Sequence, residues 1–431
     1  MSLDLEKIFN SLANKNVLIW GARMTGIGAL RQLKKKNITV LNFIDSDNAL
    51  VGKFVHGLKV YHPNQLSELV KNHEDVAILI AVSIKENEIL NQISKLNITT
   101  VPIISFFDDM APHYHVDILG ACNLKCPSCP QSSIEKNIPK GSMNIETFKS
   151  VFDKIINDTP SISNISLYNW GEPFLHPYLD KIIDYIHAKN VAVSLSSNLS
   201  IKFNDRIEKI IKANPDYLKV SLSGFYPKAY NSTHTGGDIN LVKNNLVLIR
   251  KLIDEYKADT LIDINYHLYK DNSGENLKQM ENFANNLGFI ISKTYALIMP
   301  VERVISYLEG NEDFEIKKLR NNLLVTVEEG IEASSKFPLP KNTCPYRDNQ
   351  IIINSDLTVP VCCTVWERKE SIVAQNFLKT NINEINLNKK KIAMCQKCMD
   401  LRLPEYNMGL NQNGWAAYAK EKKISDLSLM K

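Results

Sequence analysis

Nowhere in the 431 residues do 18 apolar side chains run together, and the amino terminus, MSLDLEKIFNSLANKN, has no charged segment followed by an apolar one. The chain therefore offers neither a membrane-spanning helix nor a secretory signal, and it reads as a cytoplasmic protein. Charge of one sign is scarce too, with 51 Lys and Arg against 47 Asp and Glu. The basic runs, Lys34–Lys36 and Lys389–Lys391, are short and carry no interleaved aromatics, which argues against a nucleic-acid partner. Cysteine is missing from the first 121 residues; three of the eight then fall within eight positions, and the other five lie between 344 and 398. Structural disulfides are disfavoured in a reducing compartment, so such clustering points to metal binding or catalysis. Repeats, low-complexity stretches and long linkers are absent, and 44% hydrophobic with 23% charged residues is a globular balance. The length predicts two or three domains.

Residues 16 to 105 alternate short apolar runs (NVLIWG, TVLNFIDSD, LKVYHP, AILIAVS, TTVPIIS) with helical stretches through ALRQLKKK and ENEILNQISKL. That is the βαβ rhythm of a doubly wound parallel sheet. WGARMTGIG, Trp20 to Gly28, places glycines between a buried strand and a helix, where a helix amino terminus could hold a phosphate. The spacing departs from G-x-G-x-x-G, although Asp45 and Asp47 stand about 20 residues on, where a ribose-binding acid would. Two readings stay open: a nucleotide or nucleotide-sugar site, or glycines that only let the helix pack closely. The run from Gly21 through FIDSD and LKVYHP resembles the small Rossmann-like modules attached to sugar-modifying enzymes, which implies a substrate class by analogy alone.

From HVDILG the rhythm restarts. Strands are expected near ISNISLYNW, VAVSLSS, DYLKVSLSG, TLIDINYHLY and GFIISKTYAL, separated by amphipathic helical segments. Six β/α units in a row predict an open (β/α) barrel with its active site at the carboxyl ends of the strands. After KFPLPKNTCP the pattern changes to short strands and loops with cysteines and no long amphipathic helix, a separate metal-stapled domain. The expected division is 1–108, 109–330 and 331–431, an α/β chain throughout its first two parts.

In GACNLKCPSCPQ the spacing is C-x3-C-x2-C, on Cys122, Cys126 and Cys129, directly after a strand. Three thiolates leave one iron of a four-iron four-sulfur (4Fe-4S) cluster open; a zinc site with a distant fourth ligand is the alternative. This segment resembles the radical S-adenosylmethionine (SAM) superfamily. The resemblance implies that the open iron chelates SAM, whose reductive cleavage gives a 5'-deoxyadenosyl radical. It extends to LYNWGEPFLHP, where Gly171, Glu172 and Pro173 match a motif that binds the SAM amino group. It also extends to SLSSNLS, with Ser197 and Asn198 at a polar strand end beside the cofactor, and to VSLSG, where Ser221 falls near the SAM ribose and Ser223 follows it. Two departures stand out: Ser128 replaces an aromatic that packs on the adenine, and His234 lies near a position where many members carry an Arg for the SAM carboxylate.

Cys344, Cys362, Cys395 and Cys398 form C-x17-C-x32-C-x2-C, enough thiolates to close a site for zinc or for a cluster. CPYRDNQIIINSDLTVPVCC followed by C-x2-C resembles the auxiliary-cluster domain of SPASM and twitch enzymes, which implies a second 4Fe-4S cluster. Cys363 is the odd one out: it replaces Cys362 as ligand, is a bystander, or is a catalytic hydrogen-atom donor to a substrate radical. The resemblance implies hydrogen abstraction from a small polar substrate such as a sugar or nucleotide-linked sugar, giving oxidation or epimerisation, with a flavodoxin or ferredoxin as reductant. A peptide-modifying maturase and a non-catalytic iron-sulfur binding protein are the alternatives.

Overall fold

The computed structural model describes residues 5–82, 86–96, 98, 101–106, 112–133 and 141–422. Apolar runs of the amino-terminal part become β1 (Asn16–Trp20), β2 (Thr39–Ile44), β3 (Phe54–Val55), β4 (Leu58–Tyr61), β5 (Val76–Ile80) and β6 (Ile103–Ser105). They form one sheet in the order β3-β4-β2-β1-β5-β6, parallel except for the β3–β4 hairpin. β1 and β5 are buried almost throughout, which is why they read as continuous apolar runs and not as alternating ones.

The second sheet takes β7 (His113–Val116), β8 (Asn164–Ser166), β9 (Ala192–Ser197), β10 (Tyr217–Leu222), β11 (Leu261–Leu268) and β12 (Ile290–Tyr295) side by side in chain order, all parallel. Amphipathic helices separate them, among them Ile145–Asp158, Leu179–His187, Asn204–Lys212, Ile239–Tyr256 and Glu275–Asn286. This is the open six-unit barrel expected from the rhythm. A seventh parallel strand, β13 (Gln350–Ile353), pairs with β7, so the sheet draws a strand from beyond residue 330.

Alternation along these strands decides what each face does. Val116, Val193, Leu195, Leu218, Val220, Ile262 and Ile264 point outward into the apolar layer shared with the helices. The residues between them are polar and half-buried: His113 and His115 on β7, Ser196 on β9, Lys219 and Ser221 on β10, His267 on β11. The interior of a closed β/α barrel is ordinarily filled by branched apolar side chains. Here the concave face is a polar chamber.

The amino-terminal module docks on the floor of the barrel. Its helix Met24–Lys35 shares an apolar cluster with Ala192, Tyr217, Leu261 and Ile290, at the starts of the barrel strands. A Cβ on Gly28 would lie 2.5 Å from the Ser163 carbonyl oxygen, and one on Gly26 would lie 1.8 Å from that of Gly21; these glycines serve close packing. Asp216, fully buried, accepts from His187 Nε2 at 2.9 Å and pairs with Arg31 of the docked helix. Arg23 pairs with Asp47 at 2.6 Å, donates to Ser292 Oγ at 3.0 Å, and pairs with Asp263.

Beyond β13, the short β14 (Val359–Pro360) and β15 (Ile372–Ala374) pair antiparallel. Most of the remainder is helical, at Ile382–Lys389, Ala393–Asp400, Leu403–Asn407 and Gln412–Lys422. Short strands and loops were expected there; helices shorter than about 12 residues have little periodicity to read and form through packing and caps. The Asn381 side chain, for example, accepts from Glu384 N, and Trp415 is buried between Tyr295 and Tyr406. Among the described residues no helix is long and apolar enough to cross a membrane.

Candidate active site

The carboxyl ends of β7, β8 and β9 are laced together by two buried carboxylates. Asp117, one residue past β7, accepts from Trp170 N at 3.0 Å and Gly171 N at 3.3 Å; burial pushes its pKa up to about 6 against those donors. Gly171 lies so near the segment that follows β7 that a Cβ would sit 1.7 Å from the Leu119 oxygen. Glu172 accepts from Asn198 N at 2.8 Å and Phe174 N at 3.1 Å, and burial pushes it up to about 7. Pro173 then opens a single buried 3-10 turn. Ser197 Oγ accepts from Leu199 N at 2.9 Å. Asn198 Nδ2 donates to Asn123 Oδ1 at 3.0 Å and approaches Cys122 Sγ at 3.7 Å, which ties these strand ends to the cysteine loop.

Within that loop Cys129 N donates to Cys126 O at 3.0 Å, closing a turn, and Leu124 N points at Cys122 Sγ at 3.5 Å. Burial pushes the Cys122 thiol up to about 12, with Glu172 and Cys129 adding negative neighbours; Cys126 is pushed up by burial and by Cys129 and Cys122. Three neighbouring, half-buried thiols, with Cys122 and Cys126 held un-ionised by burial and by one another, suit a cationic iron centre, which would stabilise the thiolates together. Among the described residues no three His, Cys, Asp or Glu converge closely enough to ligate one ion.

The remaining expected residues are distributed around this loop. Ser221 faces Ser196 with hydroxyls 3.5 Å apart. His234 is buried against Tyr230, with ring centroids 4.7 Å apart; Nδ1 meets Ser223 Oγ at 2.8 Å, and the ring also bonds to the Ser221 backbone. Both nitrogens are thus engaged within the chain, and burial pushes the imidazole down to about 3. Ser128 is hydrogen-bonded to the hydroxyl of Tyr269, beside Cys126.

A second sulfur group surrounds a small cavity of about 20 Å³ lined by Cys344, Cys362, Cys395 and Cys398 with Tyr346 and Arg347. Cys395 and Cys398 sit three apart on the helix Ala393–Asp400, a spacing that puts both on one face. Burial pushes Cys344 up to about 11 and Cys395 up to about 12. Two buried cations stand by: Lys389, 2% exposed, donates to Arg347 O at 3.0 Å, and Arg347 donates to Asn342 O at 2.8 Å. Four thiolates with adjacent cations fit a cluster of net negative charge. Cys363 does not line this space; it lies within electrostatic reach of Lys219 on the polar face of the barrel.

With this geometry in place, the sequence profile of the Radical SAM superfamily matches residues 116–283. Residues 116–283 thus form a radical SAM domain. A second profile, C2185-like, N-terminal, matches residues 13–104. The antilisterial bacteriocin subtilosin biosynthesis protein AlbA of Bacillus subtilis (strain 168) is 28% identical over 133 residues, 31% of this chain and 28% of that one. The AdoMet-dependent heme synthase of Methanosarcina barkeri is 24% identical over 230 residues, 53% of this chain and 61% of that one. The chain thus matches less than two thirds of either relative's length. A solved structure, native anSMEcpe with bound AdoMet, superposes with TM-score 0.45 and 15% identity, covering 74% of this chain and 100% of that one.

Radical SAM membership brings a 4Fe-4S cluster and SAM as cofactors, and SPASM-type relatives carry auxiliary clusters. Four participants escaped the sequence reading. Asp117 lacked a motif of its own, although V-D-I-L ends a strand with a lone acid. Tyr269 lies 140 residues from the loop it supports. Arg347 and Lys389 looked like surface charges, because nothing in a sequence distinguishes a buried lysine from a solvated one.

Proposed function

We propose that this radical SAM enzyme abstracts hydrogen from a small polar substrate, a sugar or nucleotide-linked sugar, held in the barrel's polar chamber. The observation that carries this reading is the concave face itself, whose serines, histidines and Lys219 suit a polyhydroxylated molecule and not an apolar one. When bound, the cluster and SAM supply a 5'-deoxyadenosyl radical. Cys122, Cys126 and Cys129 hold the first cluster; Gly171, Glu172 and Pro173 border the SAM amino group, Ser197 and Asn198 form the adjoining wall, and Ser221 lies toward the ribose. Tyr269 brings an aromatic ring to a loop that has Ser128 where relatives have their own. His234 braces Ser223 and Ser221 from behind. Cys344, Cys362, Cys395 and Cys398 hold the auxiliary cluster.

Removal of a hydrogen atom leaves a carbon radical with two fates. Loss of the hydroxyl proton to solvent and of one electron, for which the auxiliary cluster would be the acceptor, gives a ketone. Transfer of hydrogen from Cys363 Sγ forms a new C–H bond and gives an epimer, leaving a sulfur radical that one electron and one proton must restore. The likeness to the subtilosin biosynthesis protein favours a second reading, a peptide substrate.

Anaerobic reconstitution with iron and sulfide tests the proposal. About eight irons per chain and 5'-deoxyadenosine formed under reduction are expected, with cleavage abolished by Cys126→Ala. Absence of SAM cleavage by fully loaded protein would leave an iron-sulfur binding protein. Stimulation of cleavage by peptides and not by sugars would favour the second reading.

A further inference from the structure

Lys219 is the third residue of β10 and faces the barrel chamber, half-buried, with Nζ 5.0 Å from the centre of the Tyr168 ring. Among the described residues it has no ion-pair or hydrogen-bond partner. The groups within reach of its charge are His115, His267 and Cys363, contributed by three separate segments of the chain. Burial holds His115 well below its usual range and His267 down to about 4, so neither supplies a second charge. Tyr168 packs edge-on to His115, with centroids 5.9 Å apart, and closes the far side of the lysine.

The acids of this face are already committed. Asp263 pairs with Arg23 and accepts from Ser292 Oγ at 2.8 Å. Asp117 is taken up by the Trp170 and Gly171 amides, and Glu172 by the Asn198 and Phe174 amides. An ammonium left without a counter-charge in a partly desolvated recess is unfavourable on its own and becomes favourable when an anion enters. Lys219 is accordingly a positive charge on this face without an ion-pair partner among the described residues.

We propose that Lys219 anchors an anionic group of the substrate, a carboxylate or a phosphate, and so fixes which carbon is presented toward the SAM end of the chamber. This rests on the barrel chamber being the substrate site, and it narrows the substrate class from polar to acidic: a sugar phosphate, a nucleotide-linked sugar or a sugar acid.

The test uses the full chain, reconstituted anaerobically, in three forms: wild type, Lys219→Met, which keeps the aliphatic stem over Tyr168, and Lys219→Arg, which keeps the charge. Calorimetric titrations use glucose 1-phosphate, glucuronate and glucose. Wild type and Lys219→Arg are expected to bind at least one of the two anions, with binding at least about tenfold weaker in Lys219→Met; glucose should not distinguish the three. Preference for the phosphate or for the carboxylate identifies the source of the charge. Equal anion binding by Lys219→Met overturns the assignment, and so does failure of both anions to bind wild type. Reductive formation of 5'-deoxyadenosine by the wild type without added substrate is measured alongside. Its absence defeats the radical reading, whereas its presence with Lys219-independent binding defeats only the anchor.

Discussion

Gly171→Ala tests whether the carboxyl end of β8 must lie against β7 for the SAM motif to work. The added methyl would stand 1.7 Å from the Leu119 carbonyl oxygen and 2.9 Å from Asp117 Oδ1, whereas ordinary contact begins at 3.4 Å. Both obstacles are rigid: one is backbone, and the other is a carboxylate fixed by two amides. The segment must therefore retreat by more than 1 Å, carrying Glu172 away from Asn198 N and loosening the Asn198 contact with the cysteine loop. Overpacking of this kind costs roughly 1–3 kcal/mol of stability, and a displacement of about 1 Å at a positioning element costs about 100-fold in rate. The assay compares 5'-deoxyadenosine formation per bound iron with the thermal midpoint, so that lost activity is not confused with lost fold. The expected result is full secondary structure, a modest fall in midpoint and cleavage slower by about two orders of magnitude. A Gly171→Ala protein with full iron content and a rate within about twofold of wild type would show that this close approach does not position the cofactor.

Asp216→Asn removes the charge that Arg31, His187 and His56 share beneath the barrel. Although burial opposes its ionisation, His187 and Arg31 hold this carboxyl below the usual range; its loss should cost about 3 kcal/mol in urea unfolding. Cys395→Ser should lower bound iron from about eight to about four per chain, and it leaves Cys122, Cys126 and Cys129 untouched; unchanged iron would remove Cys395 from the ligand set. Cys363→Ser should leave iron content intact and, if epimerisation is the reaction, stop turnover or change product stereochemistry; survival of both rules out the donor role. Burial holds His113 and His267 at about 4 against 6.5 unfolded. Between those values the unfolded chain takes up protons that the fold refuses. Stability is therefore complete above pH 6.5 and is lost as pH falls toward 4, by at most about 3 kcal/mol for each ring. Urea midpoints of wild type and His113→Gln between pH 7.5 and 5 should converge as pH falls; parallel curves would contradict the burial.

The alternation of sheets and helices was legible because long amphipathic helices and apolar strands have clear periods, and C-x3-C-x2-C is compact enough to be read without a fold. What escaped depends on pairing across distance. β13 joins β7 from more than 230 residues away, and no local pattern announces that partnership. A carbonyl lies beside each of Gly26 and Gly28, a packing constraint that no local pattern shows, and residues between Trp20 and Asp47 also border a cavity, so both readings of this glycine segment stay open. Asp45 accepts from Ala22 N of the glycine loop at 2.9 Å and from Asp47 N of its own loop at 2.9 Å. The polar alternation of HYHV and YLKVSL was present in the sequence, but a half-polar strand ordinarily means one face in water; only closure around a hollow turns that face into a chamber.

Arg23 belongs to the glycine loop of the first module yet neutralises Asp263 in the floor of the second, while Arg31 does the same for Asp216. Cutting the chain near residue 108 would not yield two self-sufficient halves. The liberated barrel would bare Tyr217, Leu261 and Ile290 to solvent and strand two acids without their cations, so an isolated catalytic fragment should aggregate. Residues outside the profile matched at 116–283 thus complete the domain's underside, and sequence changes at Arg23 and Asp263 should be tolerated in pairs more readily than singly.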